Sequence, residues 1–194
     1  MRPGRFGRYA IRTADGVQEA AYLPIGGIEQ YIRVRGRSRA NPVLLVLHGG
    51  PGSTLGATAC RWQGALEAAF TVVHWDQRGS GNTYYRDPAA PELTGNDLRW
   101  KLRFDRMLAA NAALYEELLG GLSLDGCPPR YGVPVILTAG ERDWTTPYPL
   151  AAAYYDTLSA PCKVFLSLPD AGHLPFRERP EEWSHILLDA LAQI

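Results

Sequence analysis

No stretch of this chain stays apolar for the roughly 20 residues that a helix needs to span a bilayer. Nor is either sign of charge in excess, with 20 basic residues against 20 acidic ones. The first absence argues against a membrane-spanning protein. The second argues against a general nucleic-acid or polyanion binder, which needs clustered Lys and Arg. The basic opening MRPGRFGR leads into no apolar run, so it does not read as a secretory leader, and a cytoplasmic location is expected. Cysteine is scarce: Cys60, Cys127 and Cys162 are odd in number and lack Cys-x-x-Cys spacing, which argues against a disulfide framework or a zinc site. Internal repeats, low-complexity tracts and linkers are also missing. The Pro-rich stretch RDPAAPELTGND is too short to divide the chain, so residues 1–194 are expected to form one domain with its own core.

What the sequence does contain is an alternation of strand and helix signals. EAAYLPIGG and IEQYIRVRGR read as two strands around a Gly26-Gly27 turn. PVLLVLH is a continuous apolar run ending in glycines, the pattern of a buried parallel strand. ATACRWQGALEAAF has apolar residues at helical spacing, and TVVHWD is the next short buried strand. A long helix is expected from Gly95 to Leu119, with Asn96 as its cap and Gly120-Gly121 as its end. VPVILTAG and CKVFLSLP read as strands, and YPLAAAYYDTL and PEEWSHILLDALAQI as the helices that follow them. This order indicates an α/β fold, a mostly parallel sheet flanked by helices.

Four polar loops fall at strand ends, where open α/β sheets bind ligands. In LHGGPG the glycines tolerate positive φ and let backbone N–H groups converge on a developing oxyanion. Taken alone, the loop is equally a tight turn. DQRGSG, Asp76 to Gly81, is another glycine turn, in which Arg78 could simply pair with Asp76. GERDWTTP places Asp143 just beyond a strand, and DAGHLPF does the same for His173; singly, each reads more readily as structural than as catalytic. His74 reads as a satisfied core residue and His185 as a partly exposed helix residue.

Together, LHGGPG, WDQRGSG, GERDWTTP and AGH resemble the α/β-hydrolase superfamily, most closely its proline iminopeptidase-like branch. The resemblance covers roughly Pro42 to Tyr85 and Arg130 to the C-terminus. It implies an oxyanion and substrate loop at His48, Gly49, Gly50, Pro51 and Gly52, an acid at Asp143 and a catalytic histidine at His173, in the family's order. It also implies a serine in a Gly-x-Ser-x-Gly elbow before Asp143, and the sequence has none. Ser53 and Ser80 lack the first glycine, and Ser123 in GLSLD has Asp125 in place of the last. Ser38 lies in a basic turn, and Ser159, Ser167 and Ser184 follow the acid. Between about residues 86 and 130, the family would place the elbow, a neighbouring strand and a cap. This sequence has only a loop, one long helical pattern and Gly-Cys-Pro-Pro there. The expectation is a shortened α/β-hydrolase fold whose open sheet edges a second copy could cover.

A histidine oriented by a carboxylate remains a general base near neutral pH without a serine. The first expectation is therefore an enzyme acting on a small-molecule substrate, with His173 as base, Asp143 as its partner and Gly49 or Gly50 N–H groups stabilising charge. Its chemistry would be of the cyclase, lyase or isomerase type, or direct hydrolysis. Trp75, Gln77, Arg78, Tyr84, Trp144 and Phe176 are candidate pocket residues. One alternative is a degenerate hydrolase kept as a binding or assembly subunit. Another is a serine hydrolase whose nucleophile is supplied by Ser123, Ser53, Cys60 or a second subunit. No metal is expected, because no His/Cys/acid cluster has ligand spacing. No nucleotide or other cofactor is expected either, because the glycine loops match neither a P-loop nor the dinucleotide fingerprint.

Overall fold

The computed structural model describes residues 7–49, 52–86, 112–121 and 129–194. They fall into two compact units, one comprising Met1–Cys60 and Glu67–Leu122, the other Arg61–Leu66 and Ser123–Ile194.

The first unit is built on a four-stranded sheet. Its strands are β1 (Val17–Ile25), β2 (Ile28–Gly36), β3 (Val43–Leu47) and β4 (Thr71–Asp76), in the order β1-β2-β4-β3. The β1–β2 hairpin closes where Ile25 faces Ile28, with Gly26 and Gly27 at φ 58° and 84°. Two successive positive φ values are what a type I′ turn demands, and its twist matches that of the strands. β4 pairs antiparallel with β2 and parallel with β3, so it is an internal strand. Burial follows: Val72 is fully buried, and His74 and Asp76 nearly so. Much else that is buried here is polar, including Gln30, Arg35, Glu67, Thr71, Ser80 and Thr83. Arg35 Nε donates to Glu67 Oε1 at 2.6 Å, and an Arg35 Nη donates to the Tyr9 carbonyl at 2.6 Å. Removing one member of such a pair would strand a buried charge.

Two sequence expectations need correction in this unit. PVLLVLH was expected to be buried on both faces, yet Val43, Leu45 and Leu47 are 69, 50 and 59% exposed, while Leu44 and Val46 are half-buried. The two sets alternate along the strand, so among the described residues only one face of the sheet is covered at β3. ATACRWQGALEAAF does not form one helix. It makes a 3-10 turn at Ala59–Arg61 and the four-residue α1 (Leu66–Ala69), with Gly64 between them. A glycine inside a helix costs about 1 kcal/mol relative to alanine, which favours the break.

α2 (Gly81–Arg86) follows β4. Most of the helix expected from Gly95 to Leu119 lies outside the described residues, as do RDPAAPELTGND, Ser123 and Cys127. The described part is α3 (Ala112–Gly120), which ends at the expected glycines.

In the second unit β5 (Val135–Gly140) and β6 (Lys163–Leu168) pair in parallel, from Val135 opposite Lys163 to Gly140 opposite Leu168. α4 (Tyr148–Thr157) connects them, and α5 (Pro175–Glu178) and α6 (Pro180–Leu191) close the chain. Pro180 opens α6, and Glu181 and Glu182 in its first turn suit the positive end of the helix dipole. The core is apolar: Trp62, Leu66, Ala139, Leu158, Leu168, Ala171 and Ala190 are buried. The Phe176 ring lies 4.7 Å from Trp62 and 5.8 Å from Trp183. Aromatic pairs at such separations contribute about 0.5–1.5 kcal/mol each beyond their burial. No helix among the described residues is long and apolar enough to cross a membrane.

Candidate active site

The acid and the histidine meet at the carboxyl ends of β5 and β6. Beyond Gly140 the chain turns back, and Glu141 N donates to Leu168 O and Arg142 N to Ala171 O, both at 3.0 Å. The approach is so close that a Cβ on Gly140 would stand 2.3 Å from the carbonyl oxygens of Ala171 and Gly172. Only glycine lets the acid turn and the histidine loop abut here.

Within that turn Asp143 has both oxygens engaged. Oδ1 accepts the N–H groups of Thr145 at 2.8 Å and Thr146 at 3.0 Å. Oδ2 accepts the Thr146 hydroxyl at 2.8 Å and His173 Nδ1–H at 2.9 Å. The Asp143 side chain is 7% exposed and that of His173 is 46% exposed. Burial alone would raise the acid's pKa; the hydrogen bonds from His173 and from Thr146 and Thr145 outweigh it and bring the carboxyl from 3.8 to about 2. Asp143 is thus a fixed anion at neutral pH. Since it only accepts, the neutral imidazole carries its proton on Nδ1, and the Nε2 lone pair is left for chemistry. Among the described residues nothing hydrogen-bonds Nε2.

Thr146 was not singled out from the sequence. An Asp followed two or three residues later by Thr is a recognisable side-chain-to-backbone turn, so RDWTT held the signal. Gly140 was likewise passed over as the end of a strand.

In the first unit, the glycine loop is described at His48, Gly49 and Gly52; Gly50 and Pro51 lie outside the described residues. Gly52 has φ 83°. His48 Nε2 accepts Gln77 N–H at 3.3 Å and lies 3.0 Å from Ser80 Oγ, while Nδ1 lies 3.1 Å from Gly49 O. This serine–histidine contact does not make a nucleophile. Ser80 is 1% exposed, and its hydroxyl donates to Gln77 O at 2.5 Å. Arg78 and Asp76, which could have paired with each other, turn to other partners. Arg78 donates to Gly26 O at the hairpin tip, whereas Asp76 Oδ2 accepts the backbone N–H and the amide of Asn82, both at 2.9 Å. Asp76 is thereby held at the start of α2, and Arg78 at the hairpin tip.

The candidate pocket residues divide between the units. Trp75 donates its indole N–H to Gln30 Oε1 at 2.9 Å, and Tyr84 packs edge-on to Tyr85 at 5.1 Å. Phe176 sits in the aromatic cluster of the second unit. Trp144, next to the acid, is 90% exposed.

No protein-family model matches the chain. Over 74 residues it is 45% identical to the probable aminopeptidase YbaC of Bacillus subtilis (strain 168), a match covering 38% of this chain and 23% of that protein. Over 69 residues it is 38% identical to the proline iminopeptidase of Lactobacillus delbrueckii subsp. lactis, covering 36% of this chain and 24% of that one. The chain therefore matches less than a quarter of the length of these curated relatives. Structural likeness extends further. A serine hydrolase involved in carbazole degradation, the CarC enzyme, superposes with a TM-score of 0.66 at 15% identity, over 92% of this chain and 100% of that one. The fold is that of the α/β hydrolases. Another α/β hydrolase, the carboxylesterase CesB of Bacillus subtilis, gives 0.61 at 17% identity over 92% of this chain and 93% of that one. In sequence, the matched part of the chain is similar to an aminopeptidase and to a proline iminopeptidase.

Proposed function

We propose that the chain is an α/β-hydrolase-like enzyme acting on a small-molecule substrate through His173 and Asp143 as an acid–base pair, without a serine nucleophile. The observation that carries this reading is the arrangement in the second unit. The carboxylate is buried, saturated with donors and joined to Nδ1, while the His173 side chain is about half exposed and no described residue bonds Nε2. Nε2 takes a proton from a substrate C–H or O–H, or from a water molecule. The resulting imidazolium is stabilised by the fixed charge of Asp143 and then returns the proton to the developing anion or leaving group. No covalent enzyme–substrate bond is formed. Elimination, cyclisation, isomerisation and direct hydrolysis all fit this sequence. The test is a panel of small esters, lactones, amides and β-hydroxy carbonyl compounds: turnover of any member falls at least about 100-fold in His173→Ala and also falls in Asp143→Asn. Unchanged turnover in His173→Ala would sink the reading.

A second reading is favoured by the sequence match to aminopeptidases: a serine hydrolase whose nucleophile comes from Ser123, Ser53, Cys60 or a second copy. Serine labelling by a fluorophosphonate that depends on His173 would support it over the first.

The proposal includes self-association. Among the described residues β3 is hydrogen-bonded on one side only, and its exposed Val43, Leu45 and Leu47 carry no charge to discourage pairing. Sedimentation of the wild type and Leu45→Lys tests this: an association weakened by the lysine supports it, and a monomer in both refutes it.

A further inference from the structure

The loop that carries His173 is held by a side chain that the acid–base reading does not use. Gly172 N–H donates to Glu178 Oε2 at 2.7 Å, and Leu174 N–H donates to Glu178 Oε1 at 3.1 Å. The two donors belong to the residues on either side of His173 in the chain, so one carboxylate spans the residue and ties down the backbone before and after it. Glu178 is held in turn, because its own N–H and that of Arg177 both donate to Leu174 O, at 3.1 and 2.8 Å. The result is a closed ring running from Leu174 through the short α5 and back through the Glu178 carboxylate. On the other side, Ala171 O accepts Arg142 N–H from the Asp143 turn. His173 is therefore pinned between two anchors, one on the acid's turn and one on Glu178.

We propose that Glu178 is a positioning residue for His173: by fixing the backbone on both sides, it sets the direction in which the imidazole leaves the chain and so keeps Nδ1–H on Asp143. This proposal rests on the acid–base reading given above. Simple helix capping is a weaker account of the same contacts. Only the Leu174 N–H belongs to the start of α5, and α5 is four residues long. The shorter bond goes to Gly172, which lies outside the helix on the far side of His173. A Cβ on Gly172 would press to 3.3 Å from Glu178 Oε1, so the loop and the carboxylate are fitted closely to each other. Charge-assisted bonds to backbone amides are among the stronger hydrogen bonds.

The experiment reads the tautomer of neutral His173 in the full chain by long-range proton–nitrogen NMR in mildly alkaline buffer. In the wild type the Nδ1–H form predominates, and Asp143→Asn reverses that preference. Glu178→Ala is expected to lower the ratio of Nδ1–H to Nε2–H forms at least threefold while the Trp62–Trp183 core signals stay in place. Glu178→Gln, which keeps one oxygen acceptor, is expected to fall between the two and guards against an alanine variant that does not fold. A tautomer ratio that responds to Asp143→Asn but not to either Glu178 variant overturns the positioning role alone. A ratio that does not respond to Asp143→Asn overturns the acid–base pair and the positioning role with it.

Discussion

Each unit holds a histidine beside an oxygen-bearing side chain, and the two pairs are wired in opposite ways. His48 spends Nε2 on the Gln77 N–H, with the oxygen of Ser80, a serine sealed from solvent, 3.0 Å away. His173 spends Nδ1 on a buried carboxylate, and among the described residues nothing bonds its Nε2. The presence of Ser and His together thus says little about catalysis. What separates a structural latch from a general base is which nitrogen is occupied, and whether the remaining one can reach a ligand. The buried residues differ as well. Those of the first unit are largely polar and mutually satisfied, whereas the second unit has an apolar core that brings two loops together at Gly140.

The largest effect is expected where those loops abut. Gly140→Ala forces a Cβ against two backbone oxygens that cannot swing away, and should cost the second unit about 3 kcal/mol in urea unfolding. Gly49→Ala, in the first unit's loop, meets nothing within 4 Å and should be close to neutral. Equal costs at the two glycines would erase the distinction drawn between a packed junction and an open loop.

Acid should separate the two units next. Burial, reinforced by the charges of Arg33 and Arg35, brings His74 from 6.5 down to about 4. The unfolded chain therefore binds a proton below pH 6.5 that the folded chain refuses until about pH 4. Stability present above this window is lost as pH falls through it, by up to about 3 kcal/mol. His74→Gln should flatten unfolding free energy across that range. Asp143 acts lower: its depressed pKa contributes stability above about pH 4 that disappears toward pH 2. After allowance for the open side of the site, that contribution is roughly 1 kcal/mol. Asp143→Asn should remove the lower slope and leave the upper one, and a variant that alters both would show that the two are linked.

How far this was legible in the sequence depended on the range of each signal. The Gly26-Gly27 hairpin, β5, β6 and the closing helix were readable because turn chemistry and apolar periodicity are local. The one-sided exposure of β3 was not, since VLLVL looks the same whether one face or both are covered. Asp143 and His173 were named as partners because motif order and strand ends suggested them. Thr146 was readable in RDWTT, because its bonds to Asp143 are local, whereas the close approach at Gly140 depends on how two distant segments meet, which no spacing encodes. Asp76 and Arg78, which could have paired with each other, turn instead to Asn82 and Gly26 O, 6 and 52 positions away.

Smaller effects sharpen the same contrast. Ser80→Ala should cost about 1 kcal/mol through the lost hydroxyl bonds and leave turnover intact. A pulse of diethyl pyrocarbonate, read by peptide mass spectrometry, should modify His173 and the 77%-exposed His185 well before His48 and His74. Rapid modification of His48 would contradict the latch.

The most direct test of the central claim is intact-mass analysis after incubation with a fluorophosphonate, run on the wild type and on His173→Ala during turnover of a responsive substrate. The acid–base account predicts an unmodified wild-type mass while turnover continues, and loss of that turnover in His173→Ala. A stoichiometric serine adduct in the wild type that is absent from His173→Ala would contradict it.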